Sequence, residues 1–113
     1  MTFEDAAAKA LAFRNERDWA QFHNPKDLAI SISLEAAELL ESFQWSGTDL
    51  AVPAKQDDMI EELADVVIYS IFLADALHVD LADIVSAKTD INAKKYPLDK
   101  SRGSSKKYTE LES

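Results

Sequence analysis

The chain has 113 residues, carries a net charge of −9 and contains no cysteine. A chain of this length forms one domain around one core, and the absence of thiols excludes disulfides, thiolate metal sites and a cysteine nucleophile. The negative charge argues against electrostatic binding of nucleic acid polymers or of an anionic membrane surface. With only two glycines and three prolines, the composition favours long helices over a β fold rich in turns.

No apolar stretch is both long and clean enough to cross a membrane, and the first five residues do not resemble a signal peptide. A chain without cysteine also fits a reducing compartment, so we expect a cytoplasmic protein. The charge is uneven, because residues 88–113 carry seven of the 12 basic side chains. A small phosphorylated ligand could therefore be held between the acidic part of the chain and this basic end.

The first predicted helix opens at Thr2, with Asp5 in its first turn, because a threonine cap and an early acidic residue satisfy and complement the free N–H groups of a helix start. We expect it to run to about Trp19 or Phe22. The residue before a proline disfavours helix, so an irregular corner is predicted just before Pro25. Aromatic side chains at such a corner are more often core residues than ligand contacts.

The second predicted helix begins at Pro25 and ends near Gln44. Glu35, Glu38 and Glu41 follow one another at three-residue steps and therefore lie along one side of it. A solvated acidic face is the ordinary interpretation of such a row. This helix, however, has a single basic residue, at its start, so the usual ion pairs between neighbouring turns are missing. That deficit favours a cation site.

The third predicted helix extends from about residue 53 to about residue 78. Residues 66–74 are apolar on all sides, which predicts burial by the chain itself on one side and by a second protomer on the other. Glu62 and Asp65 are three residues apart and project from one face, and Tyr69 lies on the same face. Because Asp65 adjoins the buried stretch, it is a poor candidate for a merely solvated charge.

A fourth helix is predicted from Leu81 to about Lys94 or Lys95, capped by Asp80 and ended by Pro97. The polar, basic segment after it is typical of a flexible terminus. We therefore expect an all-α domain over residues 1–97, followed by a basic tail over residues 98–113. Its four main helices should pack as a bundle that is completed by oligomerisation.

The two acidic helix faces predict a metal centre. A buried, ionised carboxylate costs several kcal/mol unless it is paired or bound to a metal, and an all-oxygen donor set suits Mg²⁺, with Mn²⁺ as a second possibility. Mg²⁺ is commonly shared between carboxylates and substrate phosphates, which points to nucleotide chemistry. The predicted metal ligands, which also form the catalytic group, are Glu35, Glu38, Glu62 and Asp65.

Two further interpretations accompany this site. A spare glutamate, Glu41 or Glu61, could orient or deprotonate the attacking water. A di-iron bundle would instead need Glu-x-x-His motifs on two helices, and Asp75 with His78 offers only one approximate half. A rival of another class is a non-catalytic helical bundle that binds a nucleotide or a protein partner, with the acids as a structural cation site.

The chain resembles the MazG-like, all-α nucleoside triphosphate pyrophosphohydrolases. The family pattern is Glu-Glu-x-x-Glu on one helix and Glu-x-x-Asp on the next. It stands here as residues 34–38, with Leu34 in place of the first glutamate, and as residues 62–65. The resemblance extends over almost the whole chain, through residues 16–19, 21–23, 43–45, 61–63, 65–66, 68–69, 90–92, 96–97 and 104–111.

The resemblance implies Mg²⁺-dependent hydrolysis between the α and β phosphates of a nucleoside triphosphate, giving a monophosphate and pyrophosphate in nucleotide-pool housekeeping. It implies a homodimer or homotetramer and, for the base, a pyrimidine deoxynucleotide with dCTP first. The two acid pairs would bind the metal. The residues that the resemblance places against the substrate are Trp19, His23, Trp45, Tyr69, Lys88, Asn92 and Tyr96.

Overall fold

The computed structural model describes residues 1–111, which form helices and their connections without a β-strand. The all-α prediction is therefore confirmed. The α-helices are α1 (Phe3–Glu16), α2 (Pro25–Glu41), α3 (Gln56–Ala76), α4 (Leu81–Lys95) and the short α5 (Leu98–Ser101). Single 3₁₀ turns occupy Trp19–Phe22, Pro53–Lys55 and Tyr108–Glu110. Within this part of the chain, none of the helices combines the length and the apolarity that a membrane span requires.

The chain divides into two compact units. The first comprises Met1–His78 and contains α1, α2 and α3, and the second begins at Val79 and contains α4 and α5. Within the first unit, α3 packs against both α1 and α2. The helix α3 is thus the central element of this unit. The division of the chain into a domain over residues 1–97 and a tail over residues 98–113 remains a prediction.

A capping box starts α1, as the sequence predicts. The Thr2 hydroxyl oxygen accepts from the Asp5 backbone N–H at 3.1 Å, and the Asp5 carboxylate accepts from the Thr2 N–H at 3.3 Å. The helix ends at Glu16, earlier than the predicted end at Trp19 or Phe22. The reason is the backbone of Asp18, whose φ of 54° is left-handed and breaks the helix before a 3₁₀ turn begins.

The start of α2 also follows its sequence signals. Pro25 occupies the first turn, and the side-chain oxygen of Asn24 accepts from the Asp27 N–H at 2.9 Å. The helix ends at Glu41, short of the predicted Gln44, because the chain continues as a series of turns. The third helix is shorter than its predicted span from 53 to 78 at both ends. Residues 53–55 form a 3₁₀ turn, and the helix ends at Ala76, before His78, whose φ of 57° is left-handed.

The core of the first unit lies where α3 meets its neighbours. Four apolar side chains are buried there, namely Leu28, Ile71, Phe72 and Ala74. The sequence predicted that residues 66–74 are buried. In the structure Ile71, Phe72 and Ala74 are fully buried, and residues 66–70 are half-buried. Ile60 and Leu63, earlier on α3, are each 56% exposed. Coverage of α3 by a second protomer remains a prediction.

Candidate metal centre and adjoining cavity

The acidic residues of α2 and α3 converge between the two helices. Glu35, Glu62 and Asp65 each offer one carboxylate oxygen, and these three oxygens lie within 4.8 Å of one another. The three-residue spacing on α3 places Glu62 and Asp65 on the same face, and packing of α2 on α3 brings Glu35 to that face. The arrangement is therefore a single cluster built from two helices.

The electrostatics of the cluster show how closely its members interact. Burial, followed by hydrogen bonding to Glu38 and repulsion from it, raises the pKa of Glu62 from 4.5 to about 7. Burial and then Glu38 also raise the pKa of Glu35, with a further contribution from Asp65. Glu38 affects the pKa of both residues, but its side chain is exposed and it is not among the three residues whose oxygens converge. Its role as a fourth metal ligand remains a prediction. Negative charges this close favour either a proton or a cation.

The donor set fits a divalent cation. One carboxylate oxygen of Glu35 and one of Glu62 are buried and have no hydrogen-bond partner in the part of the chain that the structure describes. Buried acceptors without a donor are costly, and the ion pairs of residues 1–111 involve Asp75 and Glu16 rather than these acids. A hard cation bound by carboxylate oxygens would satisfy them. This fit supports a divalent-cation centre.

The two glutamates considered as the general base lie outside the group of three oxygens. Glu41 is the last residue of α2, and Glu61 precedes Glu62 on α3, and both side chains are exposed. Neither belongs to the set of acidic and histidine residues whose ligand atoms converge among residues 1–111. A base role for Glu41 or Glu61 remains a prediction.

A cavity of about 800 Å³ lies between α1 and α3 and reaches the acidic cluster at Asp65. Its walls are mainly apolar, with Phe13 and Trp19 among the residues before α2, and Leu63, Tyr69 and Phe72 among those of α3. Cavities of this size, apolar with a few polar groups, are typical of sites for small ligands. Asp65 belongs both to the cavity wall and to the group of converging oxygens.

Two of the predicted substrate residues stand in this cavity. Trp19 is 41% exposed, and its ring lies edge-on to Phe13 with 5.4 Å between centroids. Tyr69 lies edge-on to Phe72 at 5.8 Å. Burial, followed by the charges of Glu35, Asp65 and Glu38, raises the pKa of Tyr69. Tyr69 is therefore adjacent to the acids as well as to the cavity.

The structure does not bring His23 or Trp45 into the cavity wall. The His23 ring stacks on Phe72 with 5.1 Å between centroids, and its Nδ1 is buried without a partner in the described part of the chain. Burial and then the nearby Arg14 lower its pKa. Trp45 lies in the connection after α2, is 92% exposed and has a left-handed φ of 67°. A tryptophan in this conformation is unusual and suggests a functional constraint.

The other three predicted contacts lie in the second unit. Lys88 and Asn92 are exposed on α4, and their four-residue spacing places them on one face. Tyr96 follows directly after α4, and its ring lies edge-on to Tyr108 with 6.1 Å between centroids. The Lys95 ammonium stands 4.8 Å from the centre of the same Tyr108 ring. These contacts connect the end of α4 to the segment that follows α5.

Sequence reasoning missed one buried charge in the first unit. Arg14 is only 7% exposed, and its Nη1 lies 2.8 Å from Asp75 Oδ2. The signal was present, because Arg14 lies one turn after Ala10 and Leu11 on the apolar side of α1. Since Asp75 is engaged by Arg14, the di-iron alternative built on Asp75 and His78 has no support.

Together, the helical fold and the carboxylate cluster define an all-α protein with a candidate divalent-cation centre. Residues 30–111 match the model of the MazG-like family. The chain belongs to the MazG-like family, which confirms the resemblance seen in the sequence.

Similar proteins agree with this membership. The chain is 43% identical over 115 residues to dCTP pyrophosphatase 1 of Mus musculus and to that of Homo sapiens, and 41% identical to that of Bos taurus. Each match covers 97% of this chain and 68% of the relative. A crystal structure of a pyrophosphatase from Archaeoglobus fulgidus is similar with a TM-score of 0.75 and 40% identity. That match covers 84% of this chain and 92% of the other.

Proposed function

We propose that this chain is a Mg²⁺-dependent nucleoside triphosphate pyrophosphohydrolase. It hydrolyses the bond between the α and β phosphates of a deoxynucleoside triphosphate and releases a nucleoside monophosphate and pyrophosphate. The observation that carries the proposal is the convergence of Glu35, Glu62 and Asp65 beside a cavity large enough for a small ligand. Relatives named as dCTP pyrophosphatases support the same reaction.

The acids of α2 and α3 have one role in this reaction, which is to hold the cation. Glu35, Glu38, Glu62 and Asp65 supply oxygens only, as Mg²⁺ or Mn²⁺ prefers. When bound, Mg²⁺ neutralises the charge of phosphate oxygens and supplies Lewis acidity at the phosphorus that is attacked. A chain with a net charge of −9 can therefore accept an anionic substrate. Glu41, or alternatively Glu61, orients or deprotonates the attacking water.

The cavity between α1 and α3 receives the nucleoside. Trp19 and Tyr69 stand in its wall and offer ring faces or edges to a flat base. Aromatic stacking does not select cytosine, because every base has a π-face. We therefore base the preference for dCTP, or for its 5-modified forms, on the relatives named as dCTP pyrophosphatase 1. The remaining proposed contacts to substrate are His23, Trp45, Lys88, Asn92 and Tyr96.

The protein acts as a homodimer or homotetramer in the cytoplasm. Exposed apolar side chains on α2 and α3 support self-association: Leu34 and Leu40 lie outside the cavity wall, and Ile60 and Leu63 belong to its open side. The net charge of −9 disfavours a nucleic acid polymer as substrate, because phosphate backbones bind to basic surfaces. The lack of cysteine is consistent with the cytoplasm.

A product assay tests this function. The protein is incubated with a panel of ribonucleoside and deoxyribonucleoside triphosphates and Mg²⁺, and the products are separated by ion-exchange chromatography. We expect monophosphate and pyrophosphate in equal amounts, with dCTP hydrolysed fastest, and no turnover in excess EDTA. Release of orthophosphate with diphosphate would assign the protein to another class of phosphatase. No turnover of any nucleotide would favour the non-catalytic helical bundle.

A further inference from the structure

An ion pair between a buried arginine and a half-exposed aspartate connects α1 to α3 beside the cavity. The Arg14 side chain is 8% exposed, and its Nη1 donates to Asp75 Oδ2 at 2.8 Å. Its Nε donates to the Asn15 side-chain oxygen at 3.0 Å. The other ion pair of residues 1–111 joins neighbours at the end of α1. The Arg14–Asp75 pair is therefore the ionic link between these two helices in the part of the chain that the structure describes.

Phe72 connects this ion pair to the cavity wall. The guanidinium carbon of Arg14 lies 5.7 Å from the centre of the Phe72 ring, which is 2% exposed. His23 stacks on the same ring, with 28° between the ring planes, and Tyr69 meets it edge-on, with 86° between the planes. Because interiors are close-packed, a ring held by three neighbours cannot change its orientation without displacing them.

Tyr69 then carries the connection to the functional site. Both Phe72 and Tyr69 line the cavity, and Tyr69 also experiences the charges of the acidic cluster. Arg14 contacts Phe72, and Phe72 in turn contacts Tyr69. A change at Arg14 can thus reach the nucleoside side of the site without touching a carboxylate of the metal centre.

The energetics of the Arg14–Asp75 pair indicate that it orients α1 and α3 more than it stabilises the fold. Arg14 is buried while Asp75 is half-exposed, so the attraction between them does little more than offset the cost of removing the guanidinium from water, and the pair adds little net stability. Its directional hydrogen bonds, in contrast, fix the distance and orientation of the groups that carry them.

We propose that Arg14, held by Asp75, is a positioning residue for nucleoside binding: it fixes α1 against α3 and holds Phe72 so that Tyr69 keeps its place in the cavity wall. This inference rests on the proposed function, in which the cavity receives the nucleoside. Arg14 touches no reacting atom. Its loss weakens binding of the nucleoside part of the substrate and leaves the phosphate chemistry at the carboxylates intact.

The test compares Arg14→Met with wild type. Methionine keeps an apolar stem of similar length, and the carboxylate left behind belongs to Asp75, whose side chain is 48% exposed, so no unpaired charge is buried. Arg14→Lys keeps the charge but loses the planar fork. Lys26→Met, on the exposed first turn of α2, is the matched control. All four proteins are assayed well below their melting temperatures.

We expect Arg14→Met to weaken binding of the nucleoside part of the substrate and to leave the phosphate part unaffected. In Arg14→Met, the KM for dCTP and the inhibition constant of dCMP rise roughly tenfold, while kcat and the inhibition constant of pyrophosphate stay within about twofold of wild type. Arg14→Lys lies between the two, and Lys26→Met equals wild type. A purely structural role would lower kcat through loss of folded enzyme and leave KM unchanged, and that result would overturn the inference.

Calorimetric measurement of dCMP binding in the presence of Mg²⁺ tests the positioning role of Arg14 separately from the proposed hydrolase activity. Hydrolysis by wild type together with unaltered dCMP affinity in Arg14→Met would overturn the positioning role alone. Absence of hydrolysis by wild type would overturn the proposed function, while weaker dCMP binding by Arg14→Met would still support positioning. Should Arg14→Met fail to fold, an unchanged dCMP affinity in Arg14→Lys would be sufficient to contradict the inference.

Discussion

Individual carboxylates in this protein show why a candidate metal site could be predicted from the sequence. Glu35 and Glu62 each have a buried oxygen without a hydrogen-bond donor among residues 1–111. The sequence already indicated this shortage, because α2 contains a single basic residue. Acidic residues at three-residue spacing, in a helix with few cations, require another positive group when they are buried. The structure adds that the two helices present their acids to each other.

Neutralising one acid should stop catalysis without unfolding the chain. We expect Glu38→Gln and Asp65→Asn each to lower kcat by about 100-fold or more, because an amide cannot supply the negative charge that holds Mg²⁺ near phosphate. Steady-state kinetics with dCTP measures the effect, and circular dichroism checks the fold. Asp57→Asn, in the exposed first turn of α3, should keep wild-type activity. Full activity in either of the first two variants would show that the metal assignment is wrong.

The positive charge of Arg14 should have a measurable effect on the pKa of His23. Burial and, next, the positive charge of Arg14 lower the pKa of His23 below 6.5. Arg14→Met removes the second cause and leaves the first, so the pKa should rise and remain below the ordinary value. An NMR titration of the imidazole signals, assigned with His23→Gln, measures the shift. Lys26→Met should leave the His23 titration unchanged. If Arg14→Met also left the pKa of His23 unchanged, the electrostatic effect of Arg14 on His23 would be contradicted.

Secondary-structure elements differ in how well their ends could be predicted. The starts of α1 and α2 were predicted from Thr2 and from Pro25. The structure adds that Asn24 caps α2, because its side-chain oxygen accepts from the Asp27 N–H. The end of α1 was predicted too late, because nothing in the sequence requires Asp18 to be left-handed. The Arg14–Asp75 pair joins residues 61 positions apart. Such a contact depends on tertiary packing, which local spacing does not encode.

The cap of α2 should make a measurable contribution to stability. Asn24→Ala removes the acceptor for the Asp27 N–H and the 2.9 Å hydrogen bond to it. We expect the free energy of unfolding to fall by about 1 kcal/mol. Asn24→Ser, which keeps an acceptor oxygen at the cap, should cost only a few tenths of that amount. Urea denaturation gives both values, and equal stability of the two variants would exclude a role for the cap.

The helices α2 and α3 should be held together more firmly when a cation binds between them. The pKa of Glu62 is about 7 in the fold and 4.5 in its absence. Between these values the unfolded chain loses a proton that the folded chain keeps, so the stability of the metal-free protein falls as pH rises through this window. Above it, the cluster is ionised, which is the form that would bind a divalent cation.

Thermal melts should show this linkage. Saturating Mg²⁺ should raise the melting temperature more at pH 8 than at pH 5.5, because at the lower pH the cation must displace the proton of Glu62. Glu62→Gln should reduce both the increase and its pH dependence, whereas Asp57→Asn should preserve them. An increase of the same size at both pH values would be inconsistent with a cation bound by this carboxylate.

At the scale of the whole molecule, the main unexplained feature is exposed apolar surface. Leu34 and Leu40 on α2 are 60% and 69% exposed and lie outside the cavity wall, whereas Ile60 and Leu63 on α3, each 56% exposed, line its open side. Scattered apolar residues are normal on a surface, but several on helices that also build the core indicate an interaction site. The sequence predicted cover by a second protomer for residues 66–74, which are buried or half-buried here, and the exposed residues lie elsewhere on α2 and α3. It could not specify which side chains would stay uncovered.

A second copy of the chain should cover α3. Sedimentation equilibrium should give a mass two or four times 12.6 kDa. Ile60→Glu places a charge on the exposed apolar side of α3, where Ile60 also lines the cavity, and should weaken self-association at least about tenfold, since burying an unpaired carboxylate in an interface is costly. Gln56→Glu introduces the same charge one turn earlier, at an exposed polar position, and should leave the mass unchanged. A monomeric wild type, or an Ile60→Glu variant that associates as tightly as wild type, would exclude this face of α3 as the interface.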